Sequence, residues 1–462
     1  MEENKNIEIV RDGSRLMSYE SYQKIRRNQR IAVVLTVVLV AASLFIAFWN
    51  RTFNSYEELT WTQNTEGNGT QYAVYLDGYL KYSKDGISYM NQKESLIWTE
   101  AYTMDKPVIA VSEQYAAVAD MEGNAVYLYD KSGKVGGYSM SYPVKKIMVA
   151  EQGVFCVVLD GDDVNYIRLY DKDGEMLAEI KTQIEINGYP MSVALSPDGS
   201  RLVASYYRVD GIDSQNILSF YNFGEGGKGQ SGPLIGTYQF DNMLIPKIVF
   251  TGDDTVYVVG DSKMLVYNVE SKPKQLKEIV YPADIINVFS NEKYVGFTCE
   301  NPVESVEAEE ASPYEIYIYN KNGRLKKHFG VEKVYETVQI IDNVIVGYTG
   351  TVCSMVRTNG TEAFSYDMGR NISSVLPTSS RTEFLVVYSE GSARIRLKND
   401  LAVQLTEEVE EVSLDDAEEI NDDALDDVDD SGDIDLDDAG NSDSDIMDDT
   451  DDIDNAENGD NE

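Results

Sequence analysis

Tyr127-Leu-Tyr-Asp-Lys-Ser-Gly133 decides the fold, because the chain keeps rewriting it: Arg168-Leu-Tyr-Asp-Lys-Asp-Gly174, then Tyr317-Ile-Tyr-Asn-Lys-Asn-Gly323. Looser copies are Ser219-Phe-Tyr-Asn222, Leu265-Val-Tyr-Asn268 and Ser354-Met-Val-Arg-Thr-Asn-Gly360. Each is an alternating apolar and aromatic run, which suits a pleated strand, ending in residues that form turns. The Asp or Asn recurs at 130, 171, 222, 268, 320 and 359, at spacings of 41, 51, 46, 52 and 39 residues. A β-rich repeat of that period predicts a propeller of four-stranded blades.

Around each phrase two further apolar strands precede the aromatic one. The clearest hairpin is Ser192-Val-Ala-Leu-Ser-Pro-Asp-Gly-Ser-Arg-Leu-Val-Ala-Ser-Tyr206, where Pro197 presets φ and Gly199 accepts a positive one. Equivalent pairs cover 108–119, 146–159, 247–259, 285–298, 338–348 and 373–388, making seven hairpins after residue 100. An eighth, 72–83 with 87–90, lacks a first strand of its own, which Leu401-Ala-Val-Gln-Leu405 is placed to supply. Closure by strands from both termini protects sheet edges. The expectation is an all-β, eight-bladed propeller over 71–406, with seven blades as the alternative.

Residues 31–49 form an uncharged apolar run of 19 residues, about 28 Å as a helix and long enough to span a hydrocarbon core. Lys24, Arg26, Arg27 and Arg30 precede it, whereas Arg51 is followed by Glu57 and Glu58, so the N-terminus is expected to be cytoplasmic. The run's bulky end, Phe45-Ile-Ala-Phe-Trp49, does not suit signal cleavage, and an uncleaved signal anchor is expected. The organisation is then a basic cytoplasmic arm (1–30), the span, a juxtamembrane linker (50–70), the extracytoplasmic propeller and a tail (407–462).

The net charge of −41 is concentrated in that tail, which holds 28 Asp and Glu and no Lys or Arg. The remaining 52 acids against 39 bases make an ordinary acidic surface that repels nucleic acid. A tail so charged and so poor in apolar residues is expected to be disordered and to gather divalent cations loosely. Asp427-Val-Asp-Asp-Ser-Gly-Asp-Ile-Asp-Leu-Asp-Asp438 has calcium-loop spacing, but position 12 is Asp rather than Glu and the flanks are Asp-rich.

Leu195-Ser-Pro-Asp-Gly-Ser-Arg-Leu-Val203 resembles the hairpin of WD40-like and periplasmic propeller repeats, without the Trp-Asp dipeptide or Gly-His pair. The whole order is similar to a family of bacterial single-pass membrane proteins with a WD40-like or quinoprotein-like propeller outside the cytoplasm. That resemblance implies a tethered extracytoplasmic propeller and no particular activity.

No catalytic, cofactor or metal set emerges. The single histidine, His328, sits in Lys326-Lys-His-Phe329 on an expected outer strand. One histidine makes neither a three-histidine metal site nor a well-placed triad. Gly224-Glu-Gly-Gly-Lys-Gly-Gln-Ser-Gly232 departs from a phosphate loop, since Lys228 precedes Gly. Cys156, Cys299 and Cys353 read as small apolar core residues. The expected function is a non-catalytic binding or scaffold module for envelope proteins or polymers. The rivals are an enzyme using channel carboxylates on envelope glycan, and a sensor signalling to the arm. Asp130, Asp171, Asn268 and Asn320 read as turn formers, leaving recognition to the segments that break the repeat: residues 300–313, 224–232 and the tail.

Overall fold

The computed structural model describes residues 9–12, 15–63, 69–211, 213–224, 232–301 and 312–400. Segments 401–405 and 407–462, including the calcium-like loop, lie outside them, as does most of 224–232 and 300–313.

Eight four-stranded antiparallel sheets make eight blades, in agreement with the period. Blades 1 to 4 begin with Gln71–Tyr75, Pro107–Val111, Val144–Val149 and Tyr189–Leu195. Blades 5 to 8 begin with Lys247–Phe250, Ile285–Ser290, Thr337–Ile341 and Ile372–Pro377. These first strands are innermost and neighbour one another around the ring. The second strands are the most buried, as in Ala116–Asp120 and Phe155–Gly161, because blades cover both of their faces. The fourth strands show alternating or exposed patterns, as in Lys274–Val280.

Closure differs from the sequence expectation. Blade 1 has four strands of its own, ending with Leu96–Ala101. It is blade 8 that is incomplete: its three C-terminal strands accept Ser55–Gln63, from within the stretch expected as a linker, as the outermost fourth. Ser55 pairs with Lys398 and Gln63 with Gly391, eight register pairs in all. Ion pairs Glu57–Lys398 (2.8 Å) and Glu58–Arg370 (2.6 Å) flank the ladder. With its edge covered, the Gly391–Lys398 strand presents no row of unpaired backbone groups.

One helix, Tyr19–Trp49, starts twelve residues before the apolar run, and a short hairpin, Ile9–Asp12 with Arg15–Ser18, precedes it. Its section Arg26–Ile46 is long and apolar enough to cross a membrane, and none of it is buried by the rest of the chain. Thr36 satisfies its hydroxyl within the helix, donating to the Ala32 carbonyl at 2.9 Å.

The helix end is fastened to the ring. Arg381 lies 3.6 Å over the Trp49 ring, and Asn359 Nδ2 donates to Asn50 Oδ1 at 3.2 Å. The Arg357 guanidinium donates to the carbonyls of Asn50 and Arg51. Beyond them the Phe53 amide donates to the Ala363 carbonyl at 2.8 Å.

Candidate functional site

The repeated Asp and Asn residues are turn formers, as their spacing suggested. Asp171 Oδ1 accepts the amides of Asp173 and Glu175, and Asn320 Oδ1 those of Asn322 and Arg324. Gly174 and Gly323 close these turns at φ 87° and 75°. The Tyr257 hydroxyl of blade 5 pins the Asn320 turn, donating to the Asn320 carbonyl and accepting from the Gly323 amide.

The tyrosine before each Asp or Asn does different work. In five consecutive blades it is the residue at a β-bulge on the third strand: Tyr129, Tyr170, Tyr221, Tyr267 and Tyr319. Each faces the preceding blade and fills the seam. Tyr129 stacks on Trp98 of blade 1 at 5.4 Å, and Tyr267 packs on Phe220 of blade 4 at 5.1 Å. Burial pushes the Tyr319 phenol up to about 12.

In blade 7 that position is Val356, at the same bulge. Two residues earlier the contrast widens. Blade 6 carries a cross-strand aromatic row, Phe297–Tyr317–His328, with Tyr317 stacked 5.1 Å from Phe297 and 5.3 Å from His328. The matching row of blade 7 is Gly347–Ser354–Ser365. Small residues replace large ones across three strands, and the seam opens into a cleft of about 350 Å³. The buried cluster between blades 6 and 7 is Phe289, Ile316, Ile318, Ile340 and Ile345, five residues against fourteen between blades 7 and 8.

Aliphatic side chains of Ile316, Val331, Val334, Val338 and Val356 wall the cleft, with the hydroxyls of Thr298, Ser354 and Ser365 among them. Thr298 is 3% exposed, and its Oγ1 has no hydrogen-bond partner. A Cβ on Gly347 would lie 2.6 Å from the Tyr335 ring, so only glycine lets Tyr335 sit where it does. At the rim Ser312 Oγ donates to Glu332 Oε1 at 2.9 Å.

The ring has two faces. Turns joining first to second and third to fourth strands share the face that holds the helix end; the other connections lie opposite. On the helix face the first turns of blades 2 to 6 carry Glu113, Glu151, Asp198, Asp253 and Glu292. Glu151 is held above the usual carboxyl range by burial and then by the other four acids, so they converge on one rim. The eight innermost strands contain no Asp or Glu. Their Lys146 and Lys247 reach to the next blade, donating to the carbonyls of Val193 (2.8 Å) and Val288 (3.0 Å). Burial holds both ammonium groups below the ordinary lysine range. Among the described residues no cluster of His, Cys, Asp or Glu has metal-holding geometry.

A family model covers residues 49–397, from the helix end through the last strand. The chain belongs to a family of unknown function, DUF5711. Its matched region is the closed ring together with the N-terminal strand that completes it. No curated protein matches the sequence. The DUF5711 chain is similar in fold to Saccharomyces cerevisiae Sqt1, at 11% identity and a TM-score of 0.50 over 75% of this chain and 100% of that one. It also matches BamB from Moraxella catarrhalis, at 11% identity and a TM-score of 0.46 over 74% of this chain and 100% of that one.

Of the segments singled out by sequence, Ser312 meets the cleft rim through Glu332 and Asn301 donates to the Ser312 carbonyl, whereas Gly224 lies in a turn on the helix face. His328 is exposed on the outermost strand of blade 6. The cleft itself was signalled by Val356 inside the loosest copy of the phrase. The three cysteines are free and buried, as expected of core residues. Burial raises the thiols, Cys299 to about 11 and Cys353 to about 12. Native protein at pH 8 is therefore expected to resist maleimide and to take up three equivalents only after denaturation.

Proposed function

We propose that this chain is a membrane-anchored, non-catalytic binding propeller that works outside the cytoplasm on protein or polymer partners of the cell envelope. The observation carrying this reading is an uncovered apolar helix, Arg26–Ile46, whose end is fastened to the ring and continues into the strand that closes it. A helix built into closure suits a retained anchor better than a cleaved leader. The flanking charge, with Lys24, Arg26, Arg27 and Arg30 before the span, supports a cytoplasmic arm. A binding role draws support from the scaffold: acids gather on turns at the rim rather than along the inner wall, and the repeat departs from itself at a cleft.

Mild crosslinking of intact cells, followed by recovery of the tagged full chain, tests the reading. An envelope protein or polymer is expected above a control carrying residues 1–50 alone. Equal recovery by the two would overturn it. Protease added to intact cells is expected to cut the propeller region and spare the arm.

A further inference from the structure

We propose that the cleft between blades 6 and 7 binds an extended, aliphatic-rich segment of a partner polypeptide, with its backbone amides pairing the hydroxyls of Thr298, Ser354 and Ser365. This rests on the reading of the propeller as a partner-binding module, and it names the place and the chemistry of the contact.

Shape comes first. The lining runs from Lys333 and Val334, on the connection opposite the helix face, to Gly360 and Glu362, at the third turn on the helix face. The cleft therefore follows the strands of blade 7. Val352–Arg357, six residues, spans about 20 Å. A channel of that length and a volume of about 350 Å³ suits a chain-like occupant.

Chemistry then selects among chains. An acyl chain would match the valines and isoleucines but leave Thr298 Oγ1 buried and unpaired, which is unfavourable. A peptide carries an amide at every residue and can pair that hydroxyl while its side chains meet the aliphatic walls. A sugar would want aromatic platforms, and among the described residues the lining offers Tyr335 alone. Among the described lining residues an anionic ligand would meet Glu332 and Glu362 against one cation, Lys333. The same balance favours a segment flanked by basic residues.

The repeat supplies its own control. Tyr stands at the Val356 position in five blades, so Val356→Tyr fills the cleft with the side chain the scaffold already uses there. Ser354→Leu fills it from the neighbouring row should Val356→Tyr fail to fold. The probe is a fluorescent peptide of alternating valine and serine with a lysine at each end, titrated by anisotropy against the full chain in nanodiscs. Saturable binding to wild type is expected, with affinity at least about tenfold weaker in Val356→Tyr. Thr298→Val is expected to weaken binding by about fivefold while leaving the unfolding midpoint unchanged or higher, since it removes an unpaired polar group. Equal affinity in wild type and filled variants would overturn the proposal. So would the absence of binding to wild type, or full displacement of the peptide by dodecanoate, which would mark a lipid chain as the occupant. Envelope crosslinking by the filled variant separates this proposal from the broader one. Recovery at the wild-type level without peptide binding to wild type leaves the anchored binding propeller standing and removes the cleft from it.

Discussion

A chain beginning at Gln71 is expected to lose cooperative unfolding and to associate, whereas one beginning at Arg51 unfolds in a single transition. The two differ by the strand Ser55–Gln63, whose eight register pairs complete blade 8. At about 1 kcal/mol net for each ladder hydrogen bond, its loss approaches the whole stability of an ordinary domain, about 5–15 kcal/mol. The shorter chain also loses the Glu57–Lys398 and Glu58–Arg370 pairs and the contact of Trp61 with Tyr388 at 5.9 Å. It exposes the Gly391–Lys398 edge, a template for pairing with a second copy. Urea unfolding followed by circular dichroism, together with size-exclusion chromatography, distinguishes the two. Matching midpoints would show that another segment closes the ring.

Phe364→Ala is expected to cost about 3–5 kcal/mol, and Val356→Ala no more than about 1 kcal/mol, although both residues belong to blade 7. Phe364 is fully buried in the fourteen-residue cluster against blade 8 and bridges to Phe53. Removing its ring leaves a cavity that rigid strands on both sides cannot collapse. Val356 already borders open space, so truncation there removes few contacts. Denaturant midpoints at unchanged m-value report both costs. Similar losses at the two positions would mean that the seam between blades 6 and 7 is as well packed as its neighbour.

The repeat period was legible because five consecutive blades place a tyrosine and a turn residue at the same point, and the side-chain-to-backbone bonds of those turns are local in sequence. Closure was not. Ser55-Tyr-Glu-Glu-Leu-Thr-Trp-Thr-Gln63 covers only one face of its sheet, so it reads as polar and resembles a linker. Its partner, Gly391-Ser-Ala-Arg-Ile-Arg-Leu-Lys398, lacks the Asp-x-x-Gly ending because no turn follows it into a fourth strand. The cleft was half legible. Val356 departs from the repeat within Ser354-Met-Val-Arg-Thr-Asn-Gly360, but its meaning depends on Gly347 and Ser365 standing beside Ser354. That is a matter of register, which spacing along the chain does not reveal. The acids at the first turns of blades 2 to 6 stand roughly one blade apart along the chain, and only the ring brings them to one rim.

The direction in which the chain enters its closing strand has a mechanical consequence. Tension transmitted through the helix first loads the contacts at Trp49, Asn50 and Phe53, then enters the closing strand at Ser55, its end nearest the helix face, and pulls along the strand axis. All eight rungs against Gly391–Lys398 then share the load in shear. Had the strand entered from its other end, the same force would have peeled the rungs apart one at a time. The segment that completes the ring is thus also the one best placed to withstand being pulled.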